Sequence, residues 1–281
     1  MKRTLAGKRA SLTLDRPRIM GILNVTPDSF SDGGQFQQID RALRRAEEMV
    51  AEGADLIDVG GESTRPGAAL VSASQELDRV IPVIAAIHAR IDIPLSVDTS
   101  KATVAAAALE SGADWVNDIS GLSFDASMAA VVAAQAGGLF LMHTRGMPAA
   151  MQQLTHYDDI VAEVIAELRI SVATALAAGI PGQRLAIDPG IGFAKDLAGN
   201  LELLRRLDEF KVLDLPILLG TSRKSFIGKV LDQPHPDDRL YGTLATVALG
   251  VAKGAMLLRV HDVRAARETA LMSWAILHDS A

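Results

Sequence analysis

The sequence predicts one domain built as a (β/α)8 barrel, an α/β fold of the TIM-barrel type, and three observations predict it. Apolar runs such as Ile19 to Val25, Leu56 to Val59, Leu139 to Met142 and Ile217 to Leu219 are continuous rather than alternating, as expected of parallel strands covered on both faces. Eight such runs recur about every 34 residues between Asn24 and Arg259, roughly the length of one strand plus one crossover helix. Nearly every run ends on polar residues: Asn24, Gly60 to Glu62, Asp98, Asn117 with Asp118, His143, Asp188, Ser222, and Arg259 with His261. Carboxyl strand ends are where barrel enzymes carry their catalytic groups, so the pattern favours an enzyme.

Between the strands, helical periodicity covers Asp40 to Glu52, Gln75 to Arg90, Lys101 to Ser111, Asp125 to Gln135, Asp158 to Ala178, Asn200 to Asp208, Arg239 to Lys253 and Val263 to Leu277. Gly53, Gly112, Gly179 and Gly254 each sit where a helix would turn into the next strand, the position a C-terminal glycine cap occupies. The long polar connections, Thr26 to Gln37, Glu62 to Ser74, Thr144 to His156, Pro189 to Gly199 and Ser222 to Asp238, all follow strands, which suggests lids over one pocket. No low-complexity linker divides the series, and the patch from Gln233 to Asp238 reads as a loop before a helix. Residues 1–17 are expected as an N-terminal extension and 18–279 as the barrel.

Composition narrows the function classes. Hydrophobic residues make up 49% of the 281 and charged residues 22%, enough for a large core, and no uninterrupted apolar span is long enough for a membrane helix. The start, Met1-Lys2-Arg3, leads into Thr4, Gly7, Lys8 and Arg9 instead of an apolar segment, so a cytoplasmic address is expected. The absence of cysteine excludes disulfides, thiolate metal sites and thiol nucleophiles, and a net charge of −6 without a basic cluster argues against nucleic acid as a partner.

The candidate site residues fall into an acceptor group and a cationic group. Asp98, Asn117 and Asp188 would converge on one barrel mouth, where carboxylates match paired N–H groups and the amide reads a mixed edge. An aminopyrimidinone edge fits that set, although each carboxylate alone could serve a buried ion pair. No His-x-x-x-His or Glu-x-x-His spacing accompanies them, which disfavours a metal cluster. Ser222-Arg223-Lys224-Ser225 and Arg259-Val260-His261-Asp262 follow the seventh and eighth strands, the customary phosphate-binding corner of a barrel. Lys224 and Arg259 are the strongest candidates there, because a cation placed idly at a helix start would oppose the macrodipole. Arg65, amid Gly60-Gly61-Glu62-Ser63-Thr64-Arg65-Pro66-Gly67, is a further oxyanion grip. Asn24 could ligate a hard cation or merely cap a turn, His261 could be a helix-start residue, and His143 reads as a hydrogen-bonded strand-end histidine. With no nucleophile triad in the spacing, direct displacement is favoured over covalent catalysis.

Taken together these segments resemble the dihydropteroate synthase family, the pterin-binding barrels of folate biosynthesis, from about Ile19 to Met272. The matching stretches are MGILNVTPDSFSDGG at 20–34, DVGGESTRPG at 58–67, SVDTSK at 96–101, NDISG at 117–121, DPGIGF at 188–193, SRKSFIG at 222–228 and RVHDV at 259–263. The resemblance implies condensation of a dihydropterin-CH2-pyrophosphate with p-aminobenzoate to give dihydropteroate and pyrophosphate, with Mg2+ on the pyrophosphate and a homodimeric assembly. It also implies roles for residues. Asp98, Asn117, Asp188 and Lys224 would hold the pterin; Asn24, Arg65, Arg259 and His261 the pyrophosphate, with Asn24 also meeting the metal; Thr64, Pro66, Phe193 and Ser222 would frame the aminobenzoate. Retention of Phe30, Thr64, Arg65 and Pro66 implies sensitivity to sulfonamides. Thr144-Arg145 and Ala194-Lys195-Asp196 depart from the Met-Gln and Gly-Lys-Thr frequent in the family. A pterin-binding methyltransferase that presents methyltetrahydrofolate to a corrinoid protein would share the acid and amide contacts without needing the cations. An inactive pterin-binding paralogue should have lost at least one of either.

Overall fold

The computed structural model describes residues 3–25, 35–63, 71–135 and 137–278. Eight strands close a barrel: β3 (Arg18–Asn24), β4 (Leu56–Gly60), β5 (Leu95–Asp98), β6 (Trp115–Asp118), β7 (Gly138–Met142), β8 (Leu185–Asp188), β9 (Ile217–Leu219) and β10 (Ala255–Val260), with β10 returning beside β3. Every neighbouring pair is parallel. Helices α1 (Gln35–Glu52), α2 (Ala73–Arg90), α3 (Ala102–Ser111), α4 (Met128–Ala134), α5 (Ile160–Ala177), α6 (Leu197–Arg205), α7 (Ser225–Leu231), α8 (Leu240–Lys253) and α9 (Val263–His278) alternate with the strands. The expected barrel is therefore present, and Gly53, Gly112, Gly179 and Gly254 all hold the positive φ of a helix-terminating turn.

Two elements differ from the sequence reading. Helix α7 occupies part of the Ser222 to Asp238 stretch expected as loop; with seven residues it is too short to show helical periodicity. The segment expected as an extension forms an antiparallel hairpin, β1 (Arg3–Ala6) with β2 (Ser11–Leu14). Its Leu5, Leu12 and Leu14 pack against Met20, Leu56, Trp115, Phe140, Ala186, Leu218 and Leu257, the inward-facing residues at the amino ends of the strands. The hairpin thus seals the barrel floor. Its turn is pinned by Asp114, whose carboxylate accepts the backbone N–H groups of Arg9 (2.9 Å) and Ala10 (3.1 Å). Among the described residues no helix is long and apolar enough to cross a membrane.

Strand alternation sorts the residues. Ile19, Leu23, Ile57, Val59, Val97, Val116, Leu139, Leu141, Ile187, Leu219 and Leu258 face the helices in the main core, while their neighbours in sequence face the barrel axis. On the floor the axis is filled by Trp115 and Phe140, with ring centroids 6.3 Å apart. Gly138 permits this packing, since a β-carbon there would collide with the Trp115 indole. Trp115 is 0% exposed. Trp115→Ala is expected to cost about 3–5 kcal/mol by opening a cavity that the closed barrel cannot collapse; chemical denaturation showing a loss under about 1 kcal/mol would contradict this account of the floor.

Candidate active site

The inward parity that places apolar groups on the floor places polar groups at the mouth. Asn24, Asp58, Asp98, Asn117, Asp188 and Arg259 share this parity on their strands, and the register sets Asn24 beside Gly60, Gly60 beside Asp98, and Asp98 beside Asn117. Asp118 has the opposite parity and does structural work, accepting from Ser120 N (2.8 Å), Ser120 Oγ (2.7 Å) and Leu122 N (2.8 Å).

Arg259 ties the acids together. Its Nε donates to Asp58 Oδ2 at 2.6 Å and its Nη2 to Asp98 Oδ2 at 2.5 Å, while Asn117 Nδ2 donates to the same Asp58 oxygen at 2.9 Å. Arg259 Nη1 bonds to none of the described residues. Burial opposes the guanidinium charge, but Asp58, Asp98 and Asp188 outweigh it and raise its pKa above the usual arginine range. For Asp98, burial dominates over the attraction of Arg259, and Asp58, Glu76 and Asp118 add repulsion, so its pKa rises to about 7. Asp188 is also raised by burial, with Lys224, the Gly190 N–H and Arg259 opposing; its Oδ1 accepts from Gly190 N at 2.7 Å.

Lys224, at the start of α7, reaches back across the mouth. Its Nζ donates to the Ile191 carbonyl and lies 4.6 Å from the centroid of the Phe193 ring. Burial lowers its pKa to about 8; Asp188 pulls it upward and Arg259 pushes it down. Ser222 Oγ and His261 Nδ1 are 3.0 Å apart, and the Arg45 guanidinium caps the His261 carbonyl at 3.1 Å. The neighbouring Arg223 faces away from the acids, held by Asp262 and Asp237.

The structure thus brings together Asn24, Asp98, Asn117, Asp188, Lys224 and Arg259, with Phe193 beside Lys224 and the Ser222–His261 pair on the adjoining β9 and β10 connections. Thr64, Arg65 and Pro66 lie outside the described residues, as do Phe30 and most of the Thr26 to Gln37 and Glu62 to Ser74 connections. His143 is hydrogen-bonded on both ring nitrogens, to Glu167 (2.9 Å) and Lys195 (3.0 Å), matching the strand-end reading.

Asp58 is the central residue that the sequence reading passed over. It is 0% exposed and anchors both Arg259 and Asn117, yet it lies within an apolar run instead of at its end. The signal was a charge inside a buried strand, two residues before Gly60 and on the same parity. Lys101 was also passed over: it joins Glu62 (2.6 Å) to the buried Glu76 (2.5 Å), and Glu62 in turn accepts from Val71 N at 2.8 Å.

Asn24 is the mouth residue that could ligate a hard cation held jointly with a ligand. A β-carbon at Gly60 would be in ordinary contact with Asp98 Cβ (3.4 Å), Asn24 Oδ1 (3.6 Å) and Asp98 Oδ2 (3.6 Å), and of these two oxygens the Asp98 one already accepts from Arg259. Among the described residues no group of three or more acidic or histidine side chains could cage a metal alone. Mg2+ characteristically takes one or two protein oxygens and completes its shell with substrate phosphates and water.

An acceptor ring, a guanidinium held inside it and a lysine across from it agree with what comparison finds. Residues 20–261 match the pterin binding enzyme family. The chain is 51% identical over 250 residues to dihydropteroate synthase of Synechocystis sp. (89% of this chain, 86% of that protein). It is 47% identical over 264 residues to the Bacillus subtilis enzyme of the same name (94% and 90%). The chain belongs to the dihydropteroate synthase family.

A solved structure from Xanthomonas albilineans, a dihydropteroate synthase with 4-aminobenzoic acid, superposes with a TM-score of 0.93 at 44% identity and covers 99% of both chains. Like other members of the dihydropteroate synthase family, this chain is an enzyme of the transferase class. Carboxyl titration of the ligand-free protein by NMR should show one aspartate changing state near pH 7 and losing that transition in Asp98→Asn. A protein in which every carboxyl titrates below about pH 5, the ordinary range, would refute the described burial of Asp98.

Proposed function

We propose that this chain joins a dihydropterin carrying a CH2-pyrophosphate to p-aminobenzoate, giving 7,8-dihydropteroate and pyrophosphate for folate biosynthesis. The observation that carries the reading is the inward ring of Asp58, Asp98, Asn117 and Asp188 around the Arg259 guanidinium. A flat heterocycle bearing an N–H and an exocyclic amine satisfies such acceptors pairwise.

In this reading Asp98, Asn117, Asp188 and Lys224 hold the pterin. Arg259, His261, Asn24 and Arg65 receive the pyrophosphate, whose charge grows as its C–O bond breaks. Fixed cations aimed at that charge stabilise the departing group without reorganising at the moment of reaction. The methylene then carries cationic character, the neutral arylamine nitrogen forms the C–N bond, and its proton leaves to solvent or pyrophosphate. A neutral aniline needs no strong general base. Asn24 would hold Mg2+ together with the pyrophosphate oxygens. The metal would supply neutralisation of diphosphate charge. Phe193, Ser222, Thr64 and Pro66 frame the arylamine, and the same pocket would accept sulfonamides. Retention of Lys224, Arg259 and His261 beside the acids favours this reaction over methyl transfer from a folate.

The assembly is proposed to be a homodimer in the cytoplasm. Helices α8 and α9 pack together, and Tyr241, Leu249, Met272 and Ile276 on them are exposed, apolar surface that a second copy would cover.

Pyrophosphate release measured with both substrates, and with each omitted, tests the reaction. Release is expected only with both present, and release independent of p-aminobenzoate would replace the synthase reading with simple hydrolysis. Arg259→Ala is expected to remove roughly 2–4 kcal/mol of transition-state stabilisation. Undiminished kcat/KM in that variant would take the pyrophosphate role from Arg259.

A further inference from the structure

The connection after β8, residues 189–196, carries the Ile191 carbonyl that receives Lys224 and the Phe193 ring beneath its ammonium. Loop residues lack the ladder that fixes strand residues, and this corner is locally disfavoured. Ala194 holds a φ of 50°, a left-handed conformation that a β-carbon opposes.

A closed circuit of side chains grips this corner. Lys195 Nζ donates to the Phe193 carbonyl at 2.8 Å and meets His143 Nδ1 at 3.0 Å. His143 Nε2 meets Glu167 Oε2 at 2.9 Å, and Arg145 Nε donates to Glu167 Oε1 at 3.0 Å. The Arg145 guanidinium lies 3.9 Å above the Tyr157 ring, and Tyr157 OH donates to the Ala194 carbonyl at 3.0 Å. Starting at residue 195, the circuit returns to residue 194. Gln152 adds a weaker tie to the Gly192 carbonyl at 3.4 Å.

Two further facts argue for a positioning role. Lys195 is 2% exposed and forms no carboxylate ion pair within the described residues, so an apolar side chain would fill its place at lower desolvation cost. What an apolar side chain cannot supply is donors to Phe193 and His143. Burial first, then repulsion from Lys195, lowers the His143 pKa to about 4; its neutral ring can therefore accept from Lys195 on Nδ1 while donating to Glu167 from Nε2.

We propose that Lys195 and Tyr157 are positioning residues for the arylamine substrate: from opposite ends of this circuit they fix the Phe193–Ala194 corner and hence the wall against which the aminobenzoate lies. The proposal rests on the synthase reading above. It assigns the two residues mainly to the second substrate: the pterin contacts Asp98 and Asn117 sit on strands that the circuit does not touch, and Lys224 has its own bond to the Ile191 carbonyl, outside the gripped corner.

The test compares Tyr157→Phe and Lys195→Met with the wild-type chain in the pyrophosphate-release assay. Loss of one hydrogen bond to the corner is expected to raise KM for p-aminobenzoate and Ki for a sulfonamide in parallel, about 3- to 10-fold. Turnover should stay within about 2-fold, and dihydropterin affinity by calorimetry should change clearly less than KM for p-aminobenzoate. Glycine tolerates the left-handed backbone unaided, so in an Ala194→Gly background Tyr157→Phe should raise KM by a clearly smaller factor. Unchanged KM in both single variants overturns the proposal, as does a general loss in which kcat and dihydropterin affinity fall together with KM. Equal effects of Tyr157→Phe with and without glycine at 194 overturn the role given to the backbone strain. A wild-type chain without turnover sinks the synthase reading and the proposal together; normal wild-type turnover with unshifted variants sinks the proposal alone.

Discussion

One guanidinium makes the mouth of this barrel possible. Asp58 and Asp98 point into the same confined space, and both accept from Arg259. Without an intervening cation their charges would repel with little water to screen them, since both side chains are buried. Asp98 shows how narrow the margin is: even with Arg259 in place its pKa rises to about 7. Dependence runs both ways, because a buried guanidinium stripped of its acids would be an uncompensated charge. Acids and cation hold one another in place, and on the other side of the mouth Lys224 and Asp188 attract one another without a direct bond.

The positions of these groups follow from strand parity. Successive residues of a barrel strand alternate between helices and axis, so Val97, Val116 and Ile187 enter the core while Asp98, Asn117 and Asp188 face inward. This is why reading polar residues at the ends of apolar runs found most of the site from sequence alone. It is also why Asp58 escaped: it stands one layer below the rim, flanked by Ile57 and Val59, and only a parity argument separates it from a misplaced charge. The same argument divides Asn117 from Asp118, adjacent in sequence and opposite in role.

The architecture was legible wherever a pattern ran long enough. Helices α2, α5 and α9 declare themselves through many turns of periodicity, and four glycines mark where helices stop. Helix α7 has too few residues to show a period, and the β1–β2 hairpin gains its meaning from the barrel floor it covers. Contacts among Arg145, Tyr157, Glu167, His143 and Lys195 join helix α5 to the connections after β7 and β8, and no local pattern in the chain announces them. The Thr144-Arg145 and Ala194-Lys195-Asp196 stretches nevertheless meet through the Tyr157 ring and hydroxyl.

A physical difference between the two halves of the pocket follows. In the proposed reading the pterin acceptors Asp98 and Asn117 are strand residues whose backbones are locked by parallel ladders on both sides, so they are placed before any ligand arrives. The arylamine wall proposed above is a loop, and its shape depends on side-chain bonds that reach it from α5 and from the connection after β7. Each of those bonds contributes little singly and is exchanged readily for water or for another partner. Substitutions in the first half therefore meet the full cost of unpaired buried charge. Those in the second half can shift the wall by small steps while the acids and cations stay in place. Under the synthase reading, affinity for the arylamine, and for any inhibitor that imitates it, is then the property of this site most open to adjustment by residues that never touch a ligand.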